Sequence, residues 1–146
     1  MTTRINQARV WLGALVGGIV WWLWSFAVNT AMLGRLYADA QAKGLLLPHP
    51  RYNLFILYWL LTMILLSAVI ARFYAQLRQT QGPGPKTALK TGFMVGFAAG
   101  FPLAFSQAAW SVLPRTMPLW WCLDLWVGAC ISAVISGWLY KDPRVL

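Results

Sequence analysis

Four apolar stretches, each close to the length of a bilayer-crossing helix, limit the folds open to this chain more than any other feature. A hydrocarbon core of roughly 30 Å takes about 20 residues of α-helix. Val10–Val28, Leu54–Ala71, Gly92–Trp110 and Leu119–Tyr140 approach or reach that length, and Asp124 is the one charged residue inside them. Lipid offers no hydrogen bonds to the backbone, so a span must be a helix or a strand of a closed barrel. The alternating pattern of barrel strands is absent. The expected fold is therefore an all-α membrane protein, a four-transmembrane-helix bundle forming one domain over residues 1–146.

Composition closes off the soluble alternative. Hydrophobic residues make up 60% of the chain and charged residues 10%, with a mean hydropathy of +0.60. A water-soluble domain of this size could not hide so much apolar surface. Lys and Arg number 12 against three Asp and no Glu, for a net charge of +9. These cations flank the apolar stretches and line no single polar face, so the expected partner is a bilayer with anionic lipids, not nucleic acid.

The cations also predict orientation. With both termini on one side, Arg4, Arg9, Arg72, Arg78, Lys86, Lys90, Lys141 and Arg144 share that side, and Arg35, Lys43, Arg51 and Arg115 lie opposite. The positive-inside rule then places both termini in the cytoplasm, as for a multi-pass inner-membrane protein. Arg72, Arg78, Lys86 and Lys90 are the candidates for contact with lipid headgroups or other anions. Arg4 and Arg9 precede the first span as they would a secretory signal. Its apolar run exceeds the roughly 7 to 15 residues of a signal core, however, and it carries Trp21, Trp22 and Trp24, so it is read as a retained helix.

Two connections have readable structure. In "TAMLGRLYADAQAKGLLLPHP", Met32, Leu33, Leu36, Tyr37 and Ala40 recur at helical spacing among polar neighbours. The first helix is expected to continue past the membrane or turn along its surface, and to end at Gly44. "LLLPHP" is too short to cross and too rich in proline for a helix, which places it at the interface or over the bundle mouth. In "QGPGPKTALK", Gly82 and Gly84 allow unusual backbone angles and Pro85 suits a first helical turn, predicting a tight turn with a defined restart. Its spacing does not match GxxxxGK[ST] and no strand precedes it, so no nucleotide-binding loop is expected.

Small residues mark the packing faces. Gly92, Gly96 and Gly100 recur every four residues in the third span, continued by Ala104 and Ala108, and Gly13 and Gly17 form a shorter row in the first. Such rows let helices approach closely, making the first and third spans expected partners; the same rows also suit a homo-oligomer or a larger membrane complex. In the fourth span Gly128, Ser132 and Ser136 form one row, and Ala129, Ala133 and Gly137 a neighbouring one. Pro102 is expected to bend the third span.

Polar residues gather in the half of the spans away from the termini. Asn29, Asn53, Gln107 and Asp124 all fall there, Ser25 shares a face with Asn29, and Asp124 borders the small-residue band of its helix. A charged carboxylate costs about 2.5 to 3.5 kcal/mol at the centre of a span and less near its end, so Asp124 requires a partner, water or a proton. Three readings follow. Asp124 locks helices through Asn29, Gln107 or one of Arg35, Arg51 and Arg115; or it binds a proton or cation during transport; or it faces headgroups between interfacial tryptophans.

Raw material for catalysis is scarce. Cys122 and Cys130 lie about 12 Å apart along one helix, too far for a disulfide, and form no CxxC. His49, the only histidine, sits between prolines in a loop and reads as solvated. No enzyme activity, metal or cofactor is expected. Trp11, Trp110, Trp120, Trp121 and Trp138 fall near span ends as interfacial anchors, while Trp21, Trp22, Trp24, Trp59 and Trp126 sit deeper, where packing or lipid contact is expected.

The "GPGPKTAL" turn followed by a glycine-spaced helix, in a four-span chain of this length, resembles a group of uncharacterised bacterial membrane proteins. The likeness covers about a third of the chain and implies the fold without an activity. Small multidrug exporters also have four short helices, but their hallmark Glu in the first helix has no counterpart here. The expected function is a non-enzymatic accessory, assembly or structural component of the membrane. The alternative is a small-solute or ion transporter or channel using Asp124.

Overall fold

A computed structural model describes residues 5–142, so Arg4 and Arg144 of the orientation count lie outside the described residues. Five helices follow in order: α1 (Gln7–Ala31), α2 (Gly34–Ala42), α3 (Phe55–Gln81), α4 (Pro85–Trp110) and α5 (Thr116–Leu139). No strand occurs among the described residues. α1, α3, α4 and α5 are each long and apolar enough to cross a membrane. The chain reads as a multi-pass, all-helical membrane protein.

Each spanning helix outruns its apolar stretch at one end or both, because hydropathy marks where lipid lies while a helix continues as long as its backbone bonds do. α1 begins at Gln7, where the Asn6 side chain accepts a bond from the Arg9 amide at 3.3 Å. α3 runs on through Arg72 and Arg78, and α4 starts at Pro85. The turn between them has the expected backbone, with φ of +81° at Gly82 and +139° at Gly84. Thr87 Oγ1 donates to the Gly82 carbonyl at 2.8 Å and pins the restart. α4 continues without interruption through Pro102.

The interior differs from the exterior in side-chain size more than in polarity. Leu15, Leu23, Phe26, Leu61, Leu65, Phe93 and Phe97 face outward, while Gly, Ala and Ser line the helix contacts. This is the membrane pattern, in which lipid gives large apolar side chains no reason to turn inward and close packing holds the helices.

α5 is the central element, in contact with α1, α3 and α4. The glycine rows of α1 and α4 do not pair with each other, which corrects the expected partnership. A Cβ at Gly13 would meet Ser136, and one at Gly17 would meet Ser132 and Ser67. On α4, Gly92 lies against Ala129, Cys130 and Ala133, and Gly96 against Trp126 and Ala129. The reason is that α5 carries two small-residue rows about 100° apart. One receives α1 and the other receives α4.

The chain turns at Met32 and Leu33 into a separate helix, α2. Gly44, with φ of +69°, ends it: Gly44 N–H bonds the Gln41 carbonyl at 3.0 Å and Leu45 N–H the Ala40 carbonyl at 2.9 Å. These are the paired bonds of a Schellman stop. Leu33, Ala40 and Met117 are buried together there, with Leu45, Leu46, Trp120 and Trp121 packed around them. The loop after α2 thus covers the bundle mouth. At the opposite end the described chain termini meet, since Tyr140 Oη accepts the Asn6 amide at 3.1 Å.

Candidate intramembrane polar site

Asp124 lies just past the second turn of α5 and is 3% exposed. Its position follows from the α1–α5 register, in which Gly13 faces Ser136, Gly17 faces Ser132, Trp21 faces Gly128 and Ser25 faces Asp124. Ser25 Oγ stands 2.8 Å from both carboxylate oxygens, and Asn29 Nδ2 donates to one of them at 3.2 Å. Asn29 is itself fixed, for Tyr37 Oη donates to its Oδ1 at 2.6 Å and Trp121 Nε1 donates to Tyr37 Oη at 2.7 Å. Five side chains from α1, α2 and α5 make one connected network.

Its electrostatics are those of a carboxylate among neutral donors. Among the described residues the ion pair is Arg78–Asp142, at the other end of the bundle. Arg35, Arg51 and Arg115 do not reach Asp124. Burial excludes the headgroup-facing reading as well. The Ser25 hydroxyl can donate to a carboxylate or accept from a carboxyl proton, so the contact accommodates either state. Burial pushes the Tyr37 phenol above the usual tyrosine range; the Trp121 bond opposes that shift and the Asp124 charge adds to it.

Polar contacts continue along the same seam. The Trp21 indole is fully buried over Gly128, and its Nε1 has no hydrogen-bond partner. One turn further, Ser67 and Ser132 share a hydrogen bond of 2.6 Å, and beyond them Ser136 Oγ donates to the Gly13 carbonyl at 3.2 Å.

Two expected members stand apart. Asn53 is exposed in the turn before α3. Gln107 is exposed on α4, and the clearances explain why: a Cβ would lie 2.7 Å from its nearest neighbour at Gly92, 2.9 Å at Gly96 and 3.3 Å at Gly100. α4 splays from α5 toward its C-terminal end and carries Gln107 away. The sequence marks Tyr37 for helical spacing and Trp121 as an interfacial anchor, not as members of this site, and gives no sign of Ser67. The four candidate anion contacts also divide: Arg72 donates to Gln7 at 2.9 Å, Arg78 pairs with Asp142 and lies 4.8 Å from the Tyr140 ring centre, and Lys90 donates to Gln81 at 3.2 Å. Lys86 is exposed.

Cys122 and Cys130 are free thiols, and among the described residues no three His, Cys, Asp or Glu side chains converge. Comparison with protein families, with curated proteins and with solved structures finds no match. The resemblance to uncharacterised membrane proteins thus rests on the GPGPKTAL turn and the four-span layout.

Proposed function

We propose that this protein is a non-enzymatic membrane component of accessory or assembly type, in which Asp124 fastens helices together. The observation that carries this reading is the connected set of donors at the carboxylate: Ser25 and Asn29 bind it, and Tyr37 and Trp121 hold Asn29 in place. A buried polar network with its members paired rigidifies a bundle and specifies one arrangement of it. Arg9, Arg72, Arg78, Lys86, Lys90 and Lys141 belong to the end where Asn6 meets Tyr140, which supports cytoplasmic termini in an inner membrane.

A second reading, transport of a proton or cation, has its own observation. Among the described residues Asp124 has no cationic partner, and Ser132, Ser67 and Ser136 continue the polar seam toward the terminal end. Flux into liposomes separates the two. Wild type and Asp124→Asn should both be silent to proton and alkali-cation gradients, while Asp124→Ala should melt at a lower temperature in detergent. Wild-type flux that Asp124→Asn abolishes with the fold intact overturns the fastening role.

A further inference from the structure

α4 packs along α5 and leaves a groove of about 710 Å³ between itself and α3. Leu66, Val69 and Phe73 of α3 and Met94 and Ala98 of α4 form apolar walls, and Thr80 and Thr91 line the end nearer the α3–α4 turn, their hydroxyls bonded to the Leu77 and Thr87 carbonyls. From Leu66 to Thr80 the groove runs about 21 Å at 1.5 Å per residue. One leaflet of the hydrocarbon core is roughly 15 Å deep, so an acyl chain fits along it.

Charge at the turn selects the headgroup. Arg72 and Arg78 are engaged with Gln7, Asp142 and Tyr140. Lys86 and Lys90 stand exposed on the first turns of α4, outside the apolar lining of the groove, and Lys90 reaches across the corner to Gln81 at the end of α3 with a neutral bond that an anion can replace. No carboxylate lies on α3 or α4. We propose that the groove binds one anionic phospholipid, with an acyl chain between α3 and α4 and the phosphate held by Lys86 and Lys90. Basic pockets between membrane helices recognise phosphate headgroups in this way. The site is separate from Asp124 and does not depend on its role.

Native mass spectrometry of the full chain from mild detergent, with phosphatidylglycerol and phosphatidylcholine added in equal amounts, tests this. Wild type should retain phosphatidylglycerol preferentially. The double variant Lys86→Gln/Lys90→Gln changes only exposed residues and should reduce that preference by about fivefold per lysine. Ala98→Trp, which fills the groove from an exposed position, should lose both lipids. Inorganic phosphate, which has no acyl chain, should leave the bound lipid in place. Equal retention of the two lipids by wild type, unchanged retention by Ala98→Trp, displacement by phosphate, or a chain dimer that Ala98→Trp dissociates would each overturn the assignment.

Discussion

The Ser25 hydroxyl stands equidistant, at 2.8 Å, from the two oxygens of the Asp124 carboxylate across the α1–α5 seam. One hydroxyl proton serves two acceptors, and the Asn29 amide supplies the second donor. The contact ties the early part of the fourth apolar segment to the end of the first. Fixing α1 there also fixes where the chain turns into α2, because Tyr37 reaches back to Asn29.

Substitutions at Asp124 should therefore separate shape from hydrogen bonding. In Asp124→Asn the amide oxygen accepts from Asn29 and the amide nitrogen donates to Ser25 Oγ, so the expected loss is within about 1 kcal/mol. Asp124→Ala leaves both donors without an acceptor and should cost about 1 to 3 kcal/mol. Reversible unfolding in mixed micelles measures both. An alanine variant as stable as wild type would remove Asp124 from the account of how α1 and α5 are held.

Gly128 presents a sharper steric case. A Cβ added there would fall on Cδ1 and Nε1 of Trp21, a rigid ring that is 0% exposed and packed among Met63 and Ile70. Neither the ring nor the backbone can yield cheaply. Gly128→Ala should destabilise the bundle by about 1 to 3 kcal/mol, the usual range for overpacking. Adding Trp21→Leu should return part of that loss by vacating the ring's place. Additive losses in the double variant would show that the two residues do not share the contact.

The glycines of α4 should give a graded response. Gly92→Ala and Gly96→Ala force contacts of 2.7 to 2.9 Å on the α5 backbone and Ala129, whereas Gly100→Ala meets its nearest atom at 3.3 Å. Melting temperatures in detergent should fall most for Gly92→Ala, slightly less for Gly96→Ala and least for Gly100→Ala. The reverse order would contradict the splay of α4 that sets Gln107 outside the network.

That splay also marks where sequence stops being informative. Spans, the Gly44 stop and the Gly82–Pro85 turn are legible because each is set by local chemistry: hydropathy, a positive φ, a proline at a helix start. Which helix meets which is not local. A row of small residues fits any other small face, so the rows of α1 and α4 look like partners until α5 is seen to offer both of its faces, Gly128/Ser132/Ser136 and Ala129/Ala133/Gly137. Asp124 is visible as one acid in an apolar run, and Asn29 as a nearby donor. Tyr37 is not, because its bond to Asn29 needs the turn at Met32 and Leu33, and Gly34 alone does not announce it when the helical spacing of Met32, Leu33, Leu36, Tyr37 and Ala40 runs straight through that point.

Tyr37 lies on α2, outside the spanning helices, and its titration should be measurable as stability. An unfolded tyrosine titrates near 10, and burial raises the folded value. The folded state therefore binds the phenolic proton more tightly than the unfolded state. Its contribution is fully present below about pH 10 and is lost as pH rises through the folded value. Deprotonation also ends the donation to Asn29 Oδ1 and puts a negative charge beside Asp124. Tyr37→Phe should be less stable than wild type at neutral pH by about 1 kcal/mol, the worth of one hydrogen bond, and the gap should narrow as pH rises above about 10. Melting temperatures of the two proteins in the same detergent, followed from neutral to alkaline pH, test the sign. A gap that stays constant across that range would mean that Tyr37 does not titrate with folding.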